Sequence, residues 1–464
     1  MLRRLFRPLS LTLVTADPVV RAGEADQGRE IEQIPAIQPL RTRVGFHSGR
    51  RIWALAPVLG LLVFSAGVDV TRASEPAEVD RAIFSEVWTL VRDQFYDREL
   101  RGVDWDAVRK RYGVKAANAR SVEELSQVLN EMLDELDTSH TRHFTPLEPE
   151  YYQLLAIFSD GPLAERIAEW FPDGVSYTSA GLLTETIDGE TYVRGVLDGS
   201  PASAAGVLVG DRILAADGRP FHAVRSFEGK NDVRVELRMQ RTADPESVVE
   251  IGVTPRRIEP REEFREALAS SAERFRRGRH TIGYAHVWSY AGRQYHEELQ
   301  GILGSPEFDD VDGLVLDLRD GWGGANPDYL NLFTCSLPVM TFVPRDGDRG
   351  IFDPCWKKPV VLLVDGRTRS GKEILAFGFR RYGIGTVVGV RTAGAVVAGR
   401  AFVLGDGSLL YLATADVLID GERLEGGGVE PDVEVPFELP YAQGKDPRLE
   451  RAIEVVVEQL EAGS

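Results

Sequence analysis

The sequence predicts an α/β protein with a layered ββα core, a helical segment before it and a β-rich module inserted between the two. Three observations carry this. Buried-type apolar runs at Gly313–Arg319, Val360–Val364 and Thr386–Val390 alternate with helical stretches, which favours a layered sheet over an all-β module. Apolar residues recur at helical spacing between 78 and 137. Between 155 and 257 the pattern changes to short β-rich runs separated by turns.

From the N-terminus, residues 1–77 hold a polar, irregular stretch and the one long apolar run, Ile52–Val68, which carries no charge. Arg41, Arg43, Arg50 and Arg51 precede it and Thr71-Arg72-Ala73 follows, the layout of an export signal or a single N-terminal membrane anchor. Pro57 and Gly60 interrupt the run and argue against a buried core helix. An extracytoplasmic location, periplasmic or secreted, is expected. The polar residues ahead of the run fit translation starting downstream of Met1.

Across 464 residues, 43% are hydrophobic and 27% charged, enough for two or three domains with a sizeable core. The net charge of −18 excludes nucleic acid and an anionic lipid surface as expected partners. The two cysteines, Cys335 and Cys355, are compatible with one disulfide in an exported protein or with two buried thiols. His140 and His143 lack neighbouring ligands at metal spacing, so no metal is expected. Without a phosphate loop or dinucleotide fingerprint, no cofactor is expected either.

In the helical segment, 78–150, Val79, Ile83, Val87, Leu90 and Val91 form one stripe and Leu125, Val128, Leu129, Met132 and Leu133 another. Ser121 with Glu124 reads as a capping box for the second stripe. That helix runs out at Leu136-Asp137-Thr138-Ser139-His140. In the β-rich module, 155–257, runs at 181–184, 191–193, 212–215 and 233–237 are candidate strands. The core, 262–455, contains Asp320-Gly321-Trp322-Gly323-Gly324 after its first buried strand and a hairpin turn at Gly405-Asp406-Gly407. In it, Val360–Val364 leads through a tight turn into a helix beginning at Ser370. A hydroxyl there lies at the positive end of a helix dipole beside free N–H groups, which suits a nucleophile and its oxyanion. The same place suits an ordinary N-cap serine.

Ser200-Pro201-Ala202 through Ala205-Gly206, Gly210-Asp211 and Ile213, with the turn Ala216-Asp217-Gly218, resembles a PDZ domain. The resemblance implies an edge that takes an extended peptide as an added strand, with N–H groups near Gly181, Leu182 and Leu183 receiving a terminal carboxylate.

Taken together, residues 78–455 resemble the S41-type C-terminal processing and tail-specific serine peptidases, through Leu316-Asp317-Leu318-Arg319 followed by Gly-Gly, and the strand leading into Ser370-x-x-Glu373. The resemblance implies a ClpP/crotonase-like core, an inserted PDZ domain and polypeptide substrates. One branch of the family uses a serine with a lysine base in a Thr-Phe-Gly-Lys segment. The matching segment here is Thr392-Ala393-Gly394-Ala395, which has no base. Lys372 stands two residues past Ser370 on the same helix and points away from it. The tricorn-protease-like branch uses Ser, His and Glu with a second serine beside the histidine. Its motifs match Ser370, His140, Glu425 and Ser139, the glutamate within Glu425-Gly426-Gly427-Gly428-Val429-Glu430-Pro431-Asp432. The resemblance implies His140 as base, Ser139 and Glu425 as its orienting groups, and an oxyanion hole from the N–H of Gly371 with that of Gly323 or Gly324. Gly321-Trp322 departs from the Asn that often precedes the glycine pair. Some retinoid-binding relatives share the Thr-Ala-Gly-Ala segment, so a non-catalytic protein holding a hydrophobic ligand or peptide is the alternative.

Overall fold

The computed structural model describes residues 76–463 apart from 337, 346, 348 and 354, so the apolar run 52–68 lies outside the described residues. Among the described residues no helix is long and apolar enough to cross a membrane.

The chain begins with α1 (Pro76–Gln94), α2 (Trp105–Ala116) and α3 (Val122–Leu133). Ser121 Oγ accepts the Glu124 N–H at 3.2 Å, as the capping motif requires, but the Glu124 carboxylate takes the N–H of Arg120 at 2.8 Å instead of that of Ser121. The apolar stripes close on one another: Ile83, Val87, Val91, Leu125, Leu129 and Met132 are buried together with Leu404, Leu410 and Leu412 from the far end of the chain. Those last residues border or occupy the hairpin introduced below, so the helical segment is fastened to the core rather than free-standing.

Next come β1 (Arg142–Phe144), α4 (Pro149–Ile157) and α5 (Ala164–Trp170). The sequence pattern assigns residues 155–170 to the β-rich module. In the structure 155–157 end α4 and 164–170 form α5, with a turn between them, and Leu155 and Ile167 enter the main core. Their apolar positions fit a helix face, and the module begins only at β2 (Tyr177–Ser179), which pairs with β8 (Arg256–Ile258) as a stem. Between them lie β3 (Leu182–Ile187), β4 (Glu190–Val196), the short α6 (Pro201–Ala204), β5 (Arg212–Ala216), β6 (Val235–Gln240) and β7 (Val248–Val253). These strands form one sheet in sequence order, with β3 at its edge. The module has its own core, including Val193, Ile213, Phe227, Val235, Leu237 and Met239.

The main core follows: α7 (Pro260–Ser271), β9 (Glu273–Arg277), β10 (His280–His286), α8 (Arg293–Leu303), β11 (Gly313–Asp317) and α9 (Asn331–Thr334). After the ribbon β12 (Met340–Phe342) and β13 (Gly350–Phe352) come β14 (Val360–Val364), α10 (Gly371–Arg381) and β15 (Thr386–Gly389). The hairpin β16 (Ala398–Val403) and β17 (Leu409–Ala415), then β18 (Val433–Glu434) and α11 (Pro447–Ala462), complete it. The main sheet has the order β18-β15-β14-β11-β10-β9, parallel except for β9. Both faces are covered, which explains the unbroken apolar runs of β11 and β14. Leu314, Leu316, Leu362 and Val364 face α10 and the main core. Val315, Val361 and Leu363 face Ile453 and Val456 of α11.

Cys335 and Cys355 form a disulfide, resolving the two readings left open by the sequence. It closes the loop that carries β12 and β13.

Candidate active site

The parallel strands β11 and β14 end side by side, and the loops at their carboxyl ends meet, the usual crevice of an open α/β sheet. From β14 the chain turns through Asp365–Arg369 into α10. Ser370 stands at its N-cap with φ 57° and ψ −129°, a strained conformation for a residue with a side chain. Two bonds hold it there: its N–H donates to the Ala395 carbonyl at 2.9 Å and to Glu373 Oε2 at 3.0 Å.

Glu373 is fully buried and is the knot of this region. Its Oε1 accepts from Thr392 Oγ1 at 2.6 Å and Gly394 N at 2.7 Å, and its Oε2 from Ala395 N at 2.8 Å besides Ser370. Burial pushes its carboxyl upward, and these bonds oppose that push. In the sequence this residue appears only as part of the Ser370-x-x-Glu373 motif that carries the family resemblance, with no role of its own.

From β11 the chain runs into Asp320–Gly324. Gly321 has φ 65°, and a Cβ there would lie 1.7 Å from the Trp288 carbonyl oxygen, so no other residue fits. A Cβ on Gly323 would lie 2.5 Å from Ser370 Cβ, which shows how closely this loop packs on Ser370. The N–H groups of Gly323, Gly324 and Gly371 donate to no protein acceptor among the described residues. Trp322 replaces the expected Asn without breaking the loop: its N–H donates to Trp288 O at 2.9 Å and its Nε1 to Gln153 at 2.8 Å. Lys372 is fully buried, its Nζ donating to the carbonyls of Trp288 at 3.1 Å and Asp320 at 2.7 Å. Burial lowers its pKa to about 7, but it is spent on holding the glycine loop and makes no bond to Ser370.

His140 reaches the crevice because β1 pairs with β17, Arg142 opposite Tyr411 and Phe144 opposite Leu409. The preceding turn needs left-handed backbone at Asp137 (φ 42°) and His140 (φ 54°). The His140 ring rests 5.2 Å from that of Tyr411. Its Nδ1 lies 2.9 Å from Ser139 Oγ. Ser139 in turn donates from Oγ to Glu425 Oε2 at 2.9 Å and from N to Oε1 at 2.9 Å. Since the hydroxyl proton goes to the carboxylate, Ser139 Oγ accepts from Nδ1–H of His140, which leaves Nε2 with its lone pair. Burial first, and then the Arg369 cation, lower the His140 pKa to about 4, so the ring is neutral at pH 7.

Glu425 is placed by the glycine turn that follows it. Gly428 has φ 67° and its Cβ would lie 2.5 Å from the Thr392 carbonyl oxygen. Gly426 N donates to Gly394 O at 2.7 Å, and Val396 N to Glu425 Oε2 at 2.7 Å. The segment Thr392–Val396 therefore touches Glu373, Ser370 and Glu425 at once. Ala395, the position where the resemblance would put a lysine, is indeed against Ser370, with a methyl group in its place.

Ser139, His140, Ser370, Gly323 and Gly324 all line one cavity of about 750 Å³. Its apolar wall is built by Phe144, Leu154, Ile157, Phe158 and Tyr411. No hydrogen bond joins His140 to Ser370 in this structure, an arrangement that tightens in many enzymes only when substrate is bound. His143, by contrast, is buried away from the cavity, its ring between Ser126 Oγ and Ser408 Oγ at 2.9 Å each.

The PDZ-like residues lie elsewhere. Gly181 (φ 78°) sits where a Cβ would be 2.2 Å from Ser200 Cβ. Its N–H already donates to Ser179 Oγ at 2.9 Å, so it is not free to receive a carboxylate as expected. Leu182 starts the edge strand β3, and Leu183 is buried in the main core. The module still touches the crevice, through ion pairs of Arg194 with Asp320 and of Glu185 with Arg367.

Residues 281–435 match the family model described as peptidase family S41, residues 76–134 that of the tricorn protease C1 domain, and residues 192–241 that of a PDZ domain. The chain is 28% identical over 418 residues to tricorn protease homolog 1 of Streptomyces coelicolor, a match covering 84% of this chain and 36% of that protein. It is 27% identical over 384 residues to the carboxyl-terminal-processing protease of a Synechocystis species, covering 79% and 83% respectively. The matches thus span only about a third of the length of the first tricorn homologues, 33% and 36%. The crystal structure of the tricorn protease shares the fold, with a TM-score of 0.50 at 20% identity over 84% of this chain and 37% of that one.

Proposed function

The chain belongs to peptidase family S41, a family of serine-type peptidases, and on that premise we propose that it hydrolyses peptide bonds through Ser370, with His140 as general base. The observation that carries this reading is the Glu425–Ser139–His140 hydrogen-bond relay, which fixes the imidazole tautomer at the cavity that also holds Ser370.

Substrate binding brings the scissile carbonyl against Ser370 Oγ. His140 Nε2 removes the hydroxyl proton as Oγ attacks, and the resulting imidazolium is balanced through Ser139 by Glu425. The N–H of Gly371 and one of Gly323 or Gly324 take the oxyanion. His140 then protonates the leaving amine, and water attacks the acyl-enzyme by the reverse proton route.

The ion pairs between the PDZ module and the loops at Asp320 and Arg367 support a role for the module in gating or recruiting polypeptide. The disulfide supports an extracytoplasmic location, which cell fractionation with thiol trapping would test: a reduced pair in the cytoplasmic fraction would sink it.

Fluorophosphonate labelling followed by peptide mapping tests the chemistry. An adduct on Ser370 that is lost in His140→Ala is expected. Absence of an adduct in the intact protein, with peptides left uncut, would leave only a binding protein of this fold.

A further inference from the structure

Four arginines line the cavity: Arg142, Arg194, Arg367 and Arg369. Three already have carboxylate partners, Glu148, Asp320 and Glu185 respectively. Arg369, the residue immediately before the nucleophile, has none. Its Nε donates to the Gly321 carbonyl at 3.0 Å and its guanidinium lies 4.1 Å over the Trp322 ring. Its two terminal nitrogens donate to no protein acceptor among the described residues. Glu150 lines the same cavity and its charge favours the Arg369 cation, but it forms no ion pair with it. A withdrawn cation without a hydrogen-bonded carboxylate is costly to keep, and a planar guanidinium is shaped to take one by two parallel hydrogen bonds.

We propose that Arg369 is a substrate subsite that receives a carboxylate of the polypeptide beside the scissile bond. The inference rests on the peptidase reading of the cavity and adds to it a substrate class: peptides with an acidic side chain, or a chain terminus, at that place. Arg369 is suited to this by position. It is joined covalently to Ser370 and packed on Trp322 of the glycine loop, so a carboxylate docked there fixes the neighbouring peptide bond between nucleophile and oxyanion donors. The apolar wall of Phe144, Leu154 and Phe158 offers the accompanying side chain a place within the same cavity. The protein as a whole carries −18, so the excess of arginine in this cleft acts locally rather than as part of a basic surface.

The test uses the Ser370→Ala protein, which binds without turnover, and fluorescein-labelled alanine-based octapeptides with one central Phe. A single Asp is walked along the peptide, each version has an Asn counterpart, and every peptide is made with a free or an amidated C-terminus. Fluorescence anisotropy should show Asp favoured over Asn at one position, or acid over amide, by about ten-fold or more. Which of the two pairs shows the gap identifies the source of the carboxylate. Adding Arg369→Met should reduce that gap to under about two-fold while binding of the Asn and amide peptides is kept, which also reports that the variant is folded. Arg369→Lys should keep a reduced gap, and Arg367→Met should leave it intact. No gap in either pair, or a gap that survives Arg369→Met, overturns the proposal. If the wild-type protein neither cleaves these peptides nor takes a fluorophosphonate, the peptidase reading fails separately, and the binding gap still decides whether Arg369 receives a carboxylate.

Discussion

Ser139 and Glu425, 286 residues apart in the chain, are joined by two hydrogen bonds of 2.9 Å, one from the serine N–H and one from its hydroxyl. Both carboxylate oxygens are thereby engaged, and the hydroxyl has no proton left to offer His140. Tautomer choice at the imidazole is thus decided by a residue that never touches it.

Replacing Glu425 by Gln removes that decision, since the amide can donate to Ser139 Oγ and turn its proton toward Nδ1. The expected loss in kcat/KM is about a hundred- to ten-thousand-fold with KM little changed. Steady-state cleavage of a peptide, alongside a thermal midpoint, checks it. Activity equal to wild type would remove the relay from the mechanism.

The acid limb of kcat/KM should fall near pH 4, where His140 takes up its proton, instead of near the ordinary imidazole value of 6.5. The groups around the ring are Ser139, the Tyr411 ring and Arg369, with Glu425 behind Ser139. Burial is the larger cause of the shift, so Arg369→Met should raise the limb only part of the way toward 6.5. A pH–rate profile of both proteins decides this.

His140 and His143 are each lowered to about 4 in the folded chain, from 6.5. A depressed folded value means the unfolded chain binds the proton first. The stability this gives is complete above pH 6.5 and is lost as pH falls from there toward 4. Urea midpoints at pH 8, 6.5, 5 and 4 should decline over that window. Flat midpoints between 6.5 and 4 would contradict the buried, neutral state of both rings.

Gly323→Ala places a methyl group 2.5 Å from Ser370 Cβ and 2.7 Å from the Arg369 carbonyl oxygen. The loop must move off Ser370, and the N–H proposed as an oxyanion donor moves with it. A fall of about a hundred- to a thousand-fold in the fluorophosphonate labelling rate is expected, with near-native circular dichroism.

Glu373→Gln tests the knot. Four donors converge on this carboxylate, and an amide nitrogen must face at least one of them. The cost should be about 2–4 kcal/mol in unfolding free energy, read by denaturant titration. A change within about 0.5 kcal/mol would show that the segment Thr392–Val396 is held by other means.

What the sequence revealed of this architecture follows from how local each signal is. β14 and the start of α10 were legible because a run of five apolar residues and a serine at a helix start are complete in themselves. The helices α4 and α5 were not separated from the β-rich module, since Leu155 and Ile167 declare their partners only through contacts with the distant core. Ser139, His140 and Glu425 could be nominated by motif, but the direction of the protons between them depends on three atoms brought together from opposite ends of the chain. Glu373 showed only as the last residue of the Ser-x-x-Glu motif, and three of its donors come from a loop whose approach no spacing announces. Arg369 gave no signal at all: an arginine beside a serine is unremarkable until its terminal nitrogens are found to pair with no carboxylate, Glu150 across the cavity included.

The order of these groups along the chain also sets an order in time. During synthesis His140 is made first, Ser370 much later, and the Ala395 carbonyl and Glu425 later still. A nascent chain that already displays Ser370 therefore has the proposed base, His140, unoriented and a serine whose strained backbone is not yet fixed. A chain halted before residue 425 should take no fluorophosphonate. On the proposed mechanism the chain would be silent among the other growing polypeptides around it until the segment carrying Glu425 has been made.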